Sequence, residues 1–272
     1  MNRPPFAALA VPGVPAGCIT FVYCDHTDGA GKSSIGEPIT PADVERIAAA
    51  VTRQLSGEVS AEWGGENKYR IGANDGSDVD PSAGEIEMGI FKSADVANAA
   101  GYHATTPIGQ PYGRLFLDEC TGLFSGALPL SGIASHESIE IKLDPGANRY
   151  ATRLDGLTQD AIEGCDAVED VLYDNGDGVP VSDFLTQSAF EPGAVRPYSY
   201  RDSLESQYDT TPGGYRIVQT VSINASNAGH SFQATAGFNV VVEHKEAFTD
   251  LQMKRKSHPA SRTSKRGVHL GS

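Results

Sequence analysis

The stretch of sequence most informative about the fold is Leu130-Ser131-Gly132-Ile133-Ala134-Ser135-His136-Glu137-Ser138-Ile139-Glu140-Ile141-Lys142-Leu143-Asp144-Pro145. Apolar residues flank its polar cluster, which favours a helix. Asp144-Pro145 predicts the end of that helix, because the residue before a proline is disfavoured in the α region. On a helix, His136 and Glu140 are four residues apart, so both side chains leave one face and could bind one metal ion between them.

This spacing corresponds to the His-Glu-x-x-His pattern of zinc hydrolases, in which the glutamate after the first histidine is the general base. Glu137 occupies that base position, and Glu140 stands where the second histidine would be. A carboxylate is a harder ligand that lowers the net charge of the site. We therefore expect zinc first, calcium or manganese second, or an empty site. The alternative is a histidine that only packs in a short helix, with Glu137 and Glu140 in solvent.

A second acidic run, Glu163 to Asp170, follows this helix in the sequence. Zinc hydrolases take a third protein ligand from outside the first helix and leave one position open for water. Glu163 and Asp166 are the candidates, because a three-residue spacing presents both to one side of a helix or tight turn. The alternative is an acidic turn on the surface.

The remaining pattern predicts strands around one covering helix. Residues 19–23 and 85–91 are rich in β-branched and aromatic residues or alternate as strands do, and residues 114–118 form a further short strand. A capping threonine followed by proline starts a predicted amphipathic helix over residues 40–56. The Gly/Asn/Asp/Ser-rich residues 64–84 favour a loop or irregular hairpin. This order of strand, helix, strands and helix indicates an α+β fold.

Charge is distributed unevenly along the chain. The protein has 272 residues, 21 of them basic and 35 acidic, with a net charge of −14. Six basic residues follow Asp250, the last acidic residue, so the preceding body has 15 basic against 35 acidic residues, or about −20. Two β-rich runs, 216–221 and 231–242, precede the basic end and predict a hairpin that projects from the body.

The basic end could be a disordered tail, contact an acidic protein partner or contact nucleic acid. The acidic body argues against general nucleic-acid binding, so we expect the hairpin and the arm to contact other proteins or further copies of this chain.

No disulfide framework or membrane segment is indicated. Four cysteines without C-x-x-C spacing are too few for a disulfide scaffold and favour a reduced, intracellular origin. Residues 1–21 contain four prolines and no long apolar run, so we expect neither a secretion signal nor a membrane span.

Several short motifs occur together and in a fixed order between residues 40 and 220. They are Glu62-Trp63-Gly64, Gly101-Tyr102-His103, Gly109-x-Pro111-Tyr112, Ser135-His136-Glu137-x-x-Glu140 with Asp144-Pro145, Glu163-x-Cys165-Asp166, Val181-Ser182-Asp183-Phe184 and Pro212-Gly213-Gly214-Tyr215. In this combination the chain resembles a poorly characterised family of zincin-like proteins from bacteria and tailed bacteriophages.

The resemblance implies a zincin-like domain in which a twisted mixed sheet lies over the His-Glu-x-x-Glu helix, followed by a C-terminal β hairpin and a basic arm. We divide the chain into an N-terminal extension (1–18), the zincin-like domain (19–220), the hairpin extension (221–249) and the arm (250–272). The resemblance also implies His136 and Glu140 as metal ligands and Glu137 as the catalytic base.

Two functions are compatible with this resemblance. One is a structural or accessory component of a phage virion, located in the virion or the host cytoplasm, whose body keeps a metal site. The other is an active metal-dependent peptidase or amidase, in which Tyr102, His103 or Tyr215 would stabilise the oxyanion. A bound metal without catalysis, which pins residues 163–170 onto the helix, is a third interpretation.

Overall fold

A computed structural model describes residues 18–27, 38–97, 99–228 and 231–244. The α-helices of the described residues are α1 (Pro41–Gln54), α2 (Ser60–Trp63) and α3 (Leu130–Leu143), and a π-helical turn, Leu55–Val59, joins α1 to α2. The strands are β1 (Cys18–Asp25), β2 (Glu66–Ile71), β3 (Glu85–Phe91), β4 (Gly101–Thr105), β5 (Pro111–Phe116), β6 (Tyr150–Thr152), β7 (Thr158–Ala161), β8 (Leu172–Asp174), β9 (Pro180–Ser182), β10 (Tyr215–Ala228) and β11 (Ser231–His244). The predicted α+β class is confirmed. Within the described ranges, no helix has the length and apolar character needed to cross a membrane.

The main sheet has five strands in the order β2-β1-β3-β5-β4. Its inner neighbours are parallel, and β4 is an antiparallel edge strand. The inner strand β1 lies between β2 and β3; its residues Phe21 to Cys24 are fully buried, as expected of a strand covered on both faces. The predicted strands near 19–23, 85–91 and 114–118 are thus present as β1, β3 and β5.

Strand β2 contradicts the prediction of a loop or irregular hairpin over residues 64–84. It carries the sequence Glu-Asn-Lys-Tyr-Arg-Ile and pairs in parallel with β1 along one side only. Only Asn67 among its residues is buried. An edge strand can be this polar because much of it faces water, so no apolar alternation marks it in the sequence.

Helix α1 connects β1 to β2 and begins as predicted. The Thr40 hydroxyl accepts the Asp43 backbone N–H at 3.2 Å, and the Asp43 carboxylate accepts the Thr40 N–H at 2.9 Å. Pro41 follows at the first helical position. This reciprocal capping satisfies two backbone donors that the first turn of a helix leaves without partners.

Helix α3 forms over the predicted stretch and ends before Pro145. It lies between the sheet and the C-terminal half of the body, in contact with α1, β4, β5 and β9. Every residue of α3 except Lys142 is buried. Glu137 and Glu140 are 2% and 0% exposed, which contradicts the alternative that places both carboxylates in solvent.

The serines of α3 are compatible with its burial because each has a polar neighbour. Ser135 Oγ donates to Gln54 Oε1 at 2.6 Å and accepts the Ser182 backbone N–H at 3.0 Å. Ser138 Oγ lies 3.1 Å from the hydroxyl of Tyr23 in β1. Such satisfied contacts fix the rotation of α3 against the sheet, since a rotated helix would leave buried hydroxyls without partners.

A second sheet has the order β11-β10-β7-β6. Strands β10 and β11 form the predicted hairpin and pair along their full length, whereas β10 pairs with β7 only over residues 218–220. Arg153 joins the base of the hairpin to the body by donating to Asp160 at 2.7 Å and to Glu243 at 2.9 Å. The boundary that we placed between residues 220 and 221 falls inside β10. The N-terminal extension up to residue 17 and the arm, 250–272, lie outside the described residues.

Candidate metal centre

Three of the four predicted metal ligands lie together. His136 Nε2 is 3.3 Å from Glu140 Oε1 and 3.3 Å from Asp166 Oδ1. One ligand atom from each of these residues fits within a sphere suited to a single metal ion. Asp166 begins a 3₁₀ turn (Asp166–Val168) after β7 and faces α3 from the C-terminal half of the chain. This geometry agrees with the spacing argument for His136 and Glu140 and places Asp166, rather than Glu163, beside His136.

His136 Nε2 is buried between two carboxylates, at ion-pair distance from each. The side chain is 6% exposed, and Nε2 satisfies hydrogen-bond geometry with neither nearby carboxylate. Burial on its own lowers the pKa of His136, but the charge of Glu140 and the proximity of Asp166 outweigh it and hold the pKa well above its ordinary value. A divalent cation in the same place would satisfy both carboxylates and the nitrogen.

The turn that carries Asp166 approaches α3 closely at Gly164. A Cβ at this position would lie 2.8 Å from Leu143 Cδ2 and 3.1 Å from Ile139 Cγ2, so a side chain would push the turn away from the helix. The backbone N–H of the next residue, Cys165, points toward Glu140 Oε1 at 3.3 Å. Close packing at Gly164 therefore sets the distance between Asp166 and the two ligands on α3.

Glu137 and Glu163 lie on the other side of Glu140, around His103. His103 Nδ1 is 3.1 Å from Glu137 Oε2 and 3.4 Å from Glu140 Oε2, and His103 Nε2 is 3.8 Å from Glu163 Oε2. Glu163 is thus close to the site but faces His103 rather than His136. All these side chains are at most 2% exposed.

His103 belongs to this site, although the sequence argument treated it only as an alternative oxyanion group. It lies on β4, and Gly101 of the same strand lets β4 approach α3: a Cβ there would be 2.5 Å from Ile133 Cγ2. Successive side chains of a strand alternate between faces, so Tyr102 points away from His103, and its hydroxyl donates to Asp95 at 3.0 Å. Tyr215, the third oxyanion candidate, packs in a separate apolar cluster with Ala161 and Ile217. Recognition of β4 as a strand would have been the sequence signal for His103.

A further group at the end of β1 contains Cys24, His26 and Glu87. His26 Nε2 lies 2.6 Å from Glu87 Oε1, and the two side chains are 17% and 32% exposed. His26 also stacks on Phe91 at a centroid distance of 4.4 Å. Burial, followed by the nearby charge of Glu87, raises the pKa of Cys24 to about 12, so its thiol is neutral at physiological pH.

Comparison of the chain with protein-family models, curated proteins and solved structures gives no match.

Proposed function

We propose that this protein is a structural or accessory component of a phage virion whose zincin-like body is stabilised by a buried divalent metal ion. The ion would be held by His136, Glu140 and Asp166. In this role the metal joins the turn after β7 to α3, and the body serves as a scaffold rather than as a catalyst. The C-terminal hairpin and the basic arm would contact neighbouring virion proteins or further copies of the chain.

The observation that carries this proposal is the burial of the ligands. His136, Glu140 and Asp166 are 6%, 0% and 2% exposed in their side chains. Structural metal sites are closed by protein ligands, whereas catalytic sites keep a position open to water and substrate. Three protein ligands would leave one position of the ion open, but the burial of all three leaves a substrate no path to it, which favours stabilisation over hydrolysis.

Two features of the fold support the zincin-like assignment. The first is a mixed sheet with an antiparallel edge strand, and the second is the helix with His136, Glu137 and Glu140 packed against that sheet. The hairpin supports the assembly role, because β10 continues for a further eight residues, 221–228, beyond its pairing with β7. Long edge strands are surfaces on which other chains pair.

The donor set favours a first-row transition metal. Imidazole nitrogen with carboxylate oxygens suits zinc and manganese, whereas calcium takes oxygen ligands almost without exception. We therefore place zinc and manganese ahead of calcium.

The peptidase alternative rests on Glu137. This carboxylate follows His136 directly, lies in the same buried cluster and contacts His103 at 3.1 Å. A bound metal would polarise a substrate carbonyl. Glu137 would then accept a proton, and His103 would hold its carboxylate in place. This function would require the covered site to open, because a substrate has to reach the side chains.

Metal analysis combined with a hydrolysis assay separates these functions. The purified chain is stripped with a chelator, reloaded with zinc or manganese, and analysed by elemental mass spectrometry. The variants His136→Ala, Asp166→Asn, Asp170→Asn and Glu137→Gln are treated in the same way. Thermal unfolding and cleavage of casein and fluorogenic peptides are measured on the same samples. Asp170→Asn is the matched control for Asp166→Asn, because Asp170 is an exposed carboxylate in the same segment.

We expect bound metal that raises the unfolding temperature and is lost in His136→Ala and Asp166→Asn but kept in Asp170→Asn. Cleavage should be equal in the wild type and in Glu137→Gln. An unmodified chain that binds no metal would disprove the metal role. Cleavage abolished by Glu137→Gln with metal retained would favour the peptidase.

A further inference from the structure

The two oxygens of Glu140 face different histidines. Oε1 lies 3.3 Å from His136 Nε2, and Oε2 lies 3.4 Å from His103 Nδ1. Glu140 therefore belongs to two groups of metal-type ligands, one with His136 and Asp166 and the other with His103 and Glu137. A carboxylate that presents one oxygen to each of two neighbouring sites has the arrangement of a bridging ligand in two-metal centres, whose ions are about 3.5–4 Å apart.

The distances around His103 match those around His136. Tetrahedral zinc with bonds of about 2.0–2.1 Å to nitrogen and oxygen places its ligand atoms about 3.3–3.4 Å from one another. The His136 group has two nitrogen–oxygen distances of 3.3 Å, and the His103 group has distances of 3.1 Å and 3.4 Å. The nitrogen–oxygen distances of both groups are thus compatible with a bound ion, and the 3.1 Å pair of His103 and Glu137 also meets hydrogen-bond geometry.

The opposite nitrogen of His103 faces a further carboxylate. Nε2 lies 3.8 Å from Glu163 Oε2, on the side of the ring away from Glu137 and Glu140. Metal-bound histidines commonly have a carboxylate at the nitrogen that does not bind the metal, because it fixes the ring orientation and the tautomer. Glu163, which we predicted as a direct ligand, lies on this side of His103 at ion-pair distance and would have to move closer by a few tenths of an ångström to orient the ring.

The charges of the combined group also suit two ions. Glu137, Glu140, Glu163 and Asp166 carry four negative charges when ionised, and all are within 4 Å of one of two buried imidazoles. Buried charge is costly unless it is compensated. Two divalent cations would balance four carboxylates with both imidazoles neutral, which is the form in which histidine binds metals.

We propose that the protein holds a pair of divalent metal ions bridged by Glu140, with the second ion bound by His103, Glu137 and Glu140. The inference rests on the proposed metal at His136, Glu140 and Asp166 and adds a second position to it. The pair would connect β4, α3 and the turn after β7, three segments that are distant in sequence. The ions would be zinc or manganese, since both positions combine imidazole with carboxylate.

Metal stoichiometry and electron paramagnetic resonance test the pair. The stripped full-length chain is titrated with Mn²⁺ alone and, in parallel, with Zn²⁺ alone, and bound metal is counted by elemental mass spectrometry. The same titrations are made on His103→Gln and on His26→Gln. The second variant accounts for any ion held by Cys24, His26 and Glu87, and it is matched in chemistry because it also replaces a histidine beside a glutamate.

We expect two bound ions in the wild type, one fewer in His103→Gln, and two in His26→Gln. The manganese-loaded wild type should give the spectrum of an exchange-coupled pair, and His103→Gln that of an isolated ion. This spectrum on the unmodified chain keeps the proposal testable if His103→Gln fails to fold, and Glu137→Gln provides a second variant.

One ion in the wild type, with the same content in His103→Gln and no coupling, would overturn the pair while leaving the single structural metal intact. In that case His103 would act as a hydrogen-bond donor to Glu137. No ion in the wild type would overturn both proposals. Loss of an ion in His26→Gln, together with no loss in His103→Gln, would place the second ion at the end of β1 and would also overturn the Glu140 bridge.

Discussion

Asp166 Oδ1 lies 3.3 Å from His136 Nε2, across the contact between the turn after β7 and helix α3. This pair joins the two halves of the body. Glu140 Oε1 is also 3.3 Å from His136 Nε2, so two carboxylates face one buried imidazole nitrogen. A divalent cation would stabilise this arrangement. The following predictions test what depends on this contact and on the packing around it.

Asp166→Asn should remove most of the stabilisation that metal gives to the fold. A ligand that binds only the folded state at about 100 times its dissociation constant adds roughly 2.7 kcal/mol to the free energy of unfolding. We expect a metal-dependent increase in the unfolding temperature of the wild type and of Asp170→Asn, and little increase in Asp166→Asn. Urea unfolding with and without chelator measures the effect. An equal response of all three chains would argue against Asp166 as a ligand.

Gly164→Ala should destabilise the protein by about 1–3 kcal/mol, because the added methyl group would overpack the contact with Leu143 and Ile139. It should also weaken metal binding by moving the turn that carries Asp166. Gly57→Ala is the matched control, since Gly57 lies in the π-helical turn Leu55–Val59 and a Cβ there would have no atom within 4 Å. That substitution should be neutral or stabilising by about 0.5–1 kcal/mol, because alanine is favoured over glycine in a helical turn. Equal effects of the two substitutions in urea unfolding would contradict the packing argument.

Thr40→Ala should lower the free energy of unfolding by about 1 kcal/mol, because it removes the hydroxyl that caps α1. Thr40→Ser keeps the hydroxyl and should restore most of the loss. Chemical denaturation monitored by circular dichroism provides the measurement. If the serine variant were as unstable as the alanine variant, the contribution of Thr40 would lie in its methyl group and not in the cap.

Cys120 should resist alkylation in the folded protein. Burial, together with the nearby charge of Glu119, raises the pKa of its thiol to about 12, so at pH 8 only about one thiol in 10⁴ is ionised. Raising the pH toward 12 should increase the reactive thiolate fraction about tenfold per unit. Cys18, which is half-buried, should react first. Mass spectrometry after iodoacetamide treatment, with urea-unfolded protein as control, distinguishes the positions. Rapid native labelling of Cys120 at pH 8 would contradict its burial.

Removal of residues 251–272 should weaken assembly without unfolding the body. The segment contains six basic residues and no acidic ones, whereas the rest of the chain is acidic. We expect an unchanged unfolding temperature and a loss of self-association or of incorporation into particles, measured by sedimentation. A matched full-length variant, in which the six basic residues are replaced by glutamine, separates the role of charge from that of length. Normal assembly of both variants would contradict the partner role of the arm.

The sequence by itself determined the local elements with strong signals. Thr40-Pro41 and the apolar spacing after it specified α1, the β-branched and aromatic run of β1 specified that inner strand, and Pro145 specified the end of α3. These signals act over a few residues, through backbone sterics, capping and the burial of one face. The edge strands β2 and β4 were missed because one is largely polar and the other is five residues long, so neither shows a clear alternation.

The sequence also determined that His136 and Glu140 share one side of a helix, because the helical repeat requires it. Only the tertiary structure decided which residues join them. The close approaches at Gly101 and Gly164 bring His103 to Oε2 of Glu140 and Asp166 to His136, and they leave Glu163 facing His103. Contacts of this kind depend on how β4 and the turn after β7 pack against α3, and this packing is set by the whole core and not by the spacing of residues along the chain.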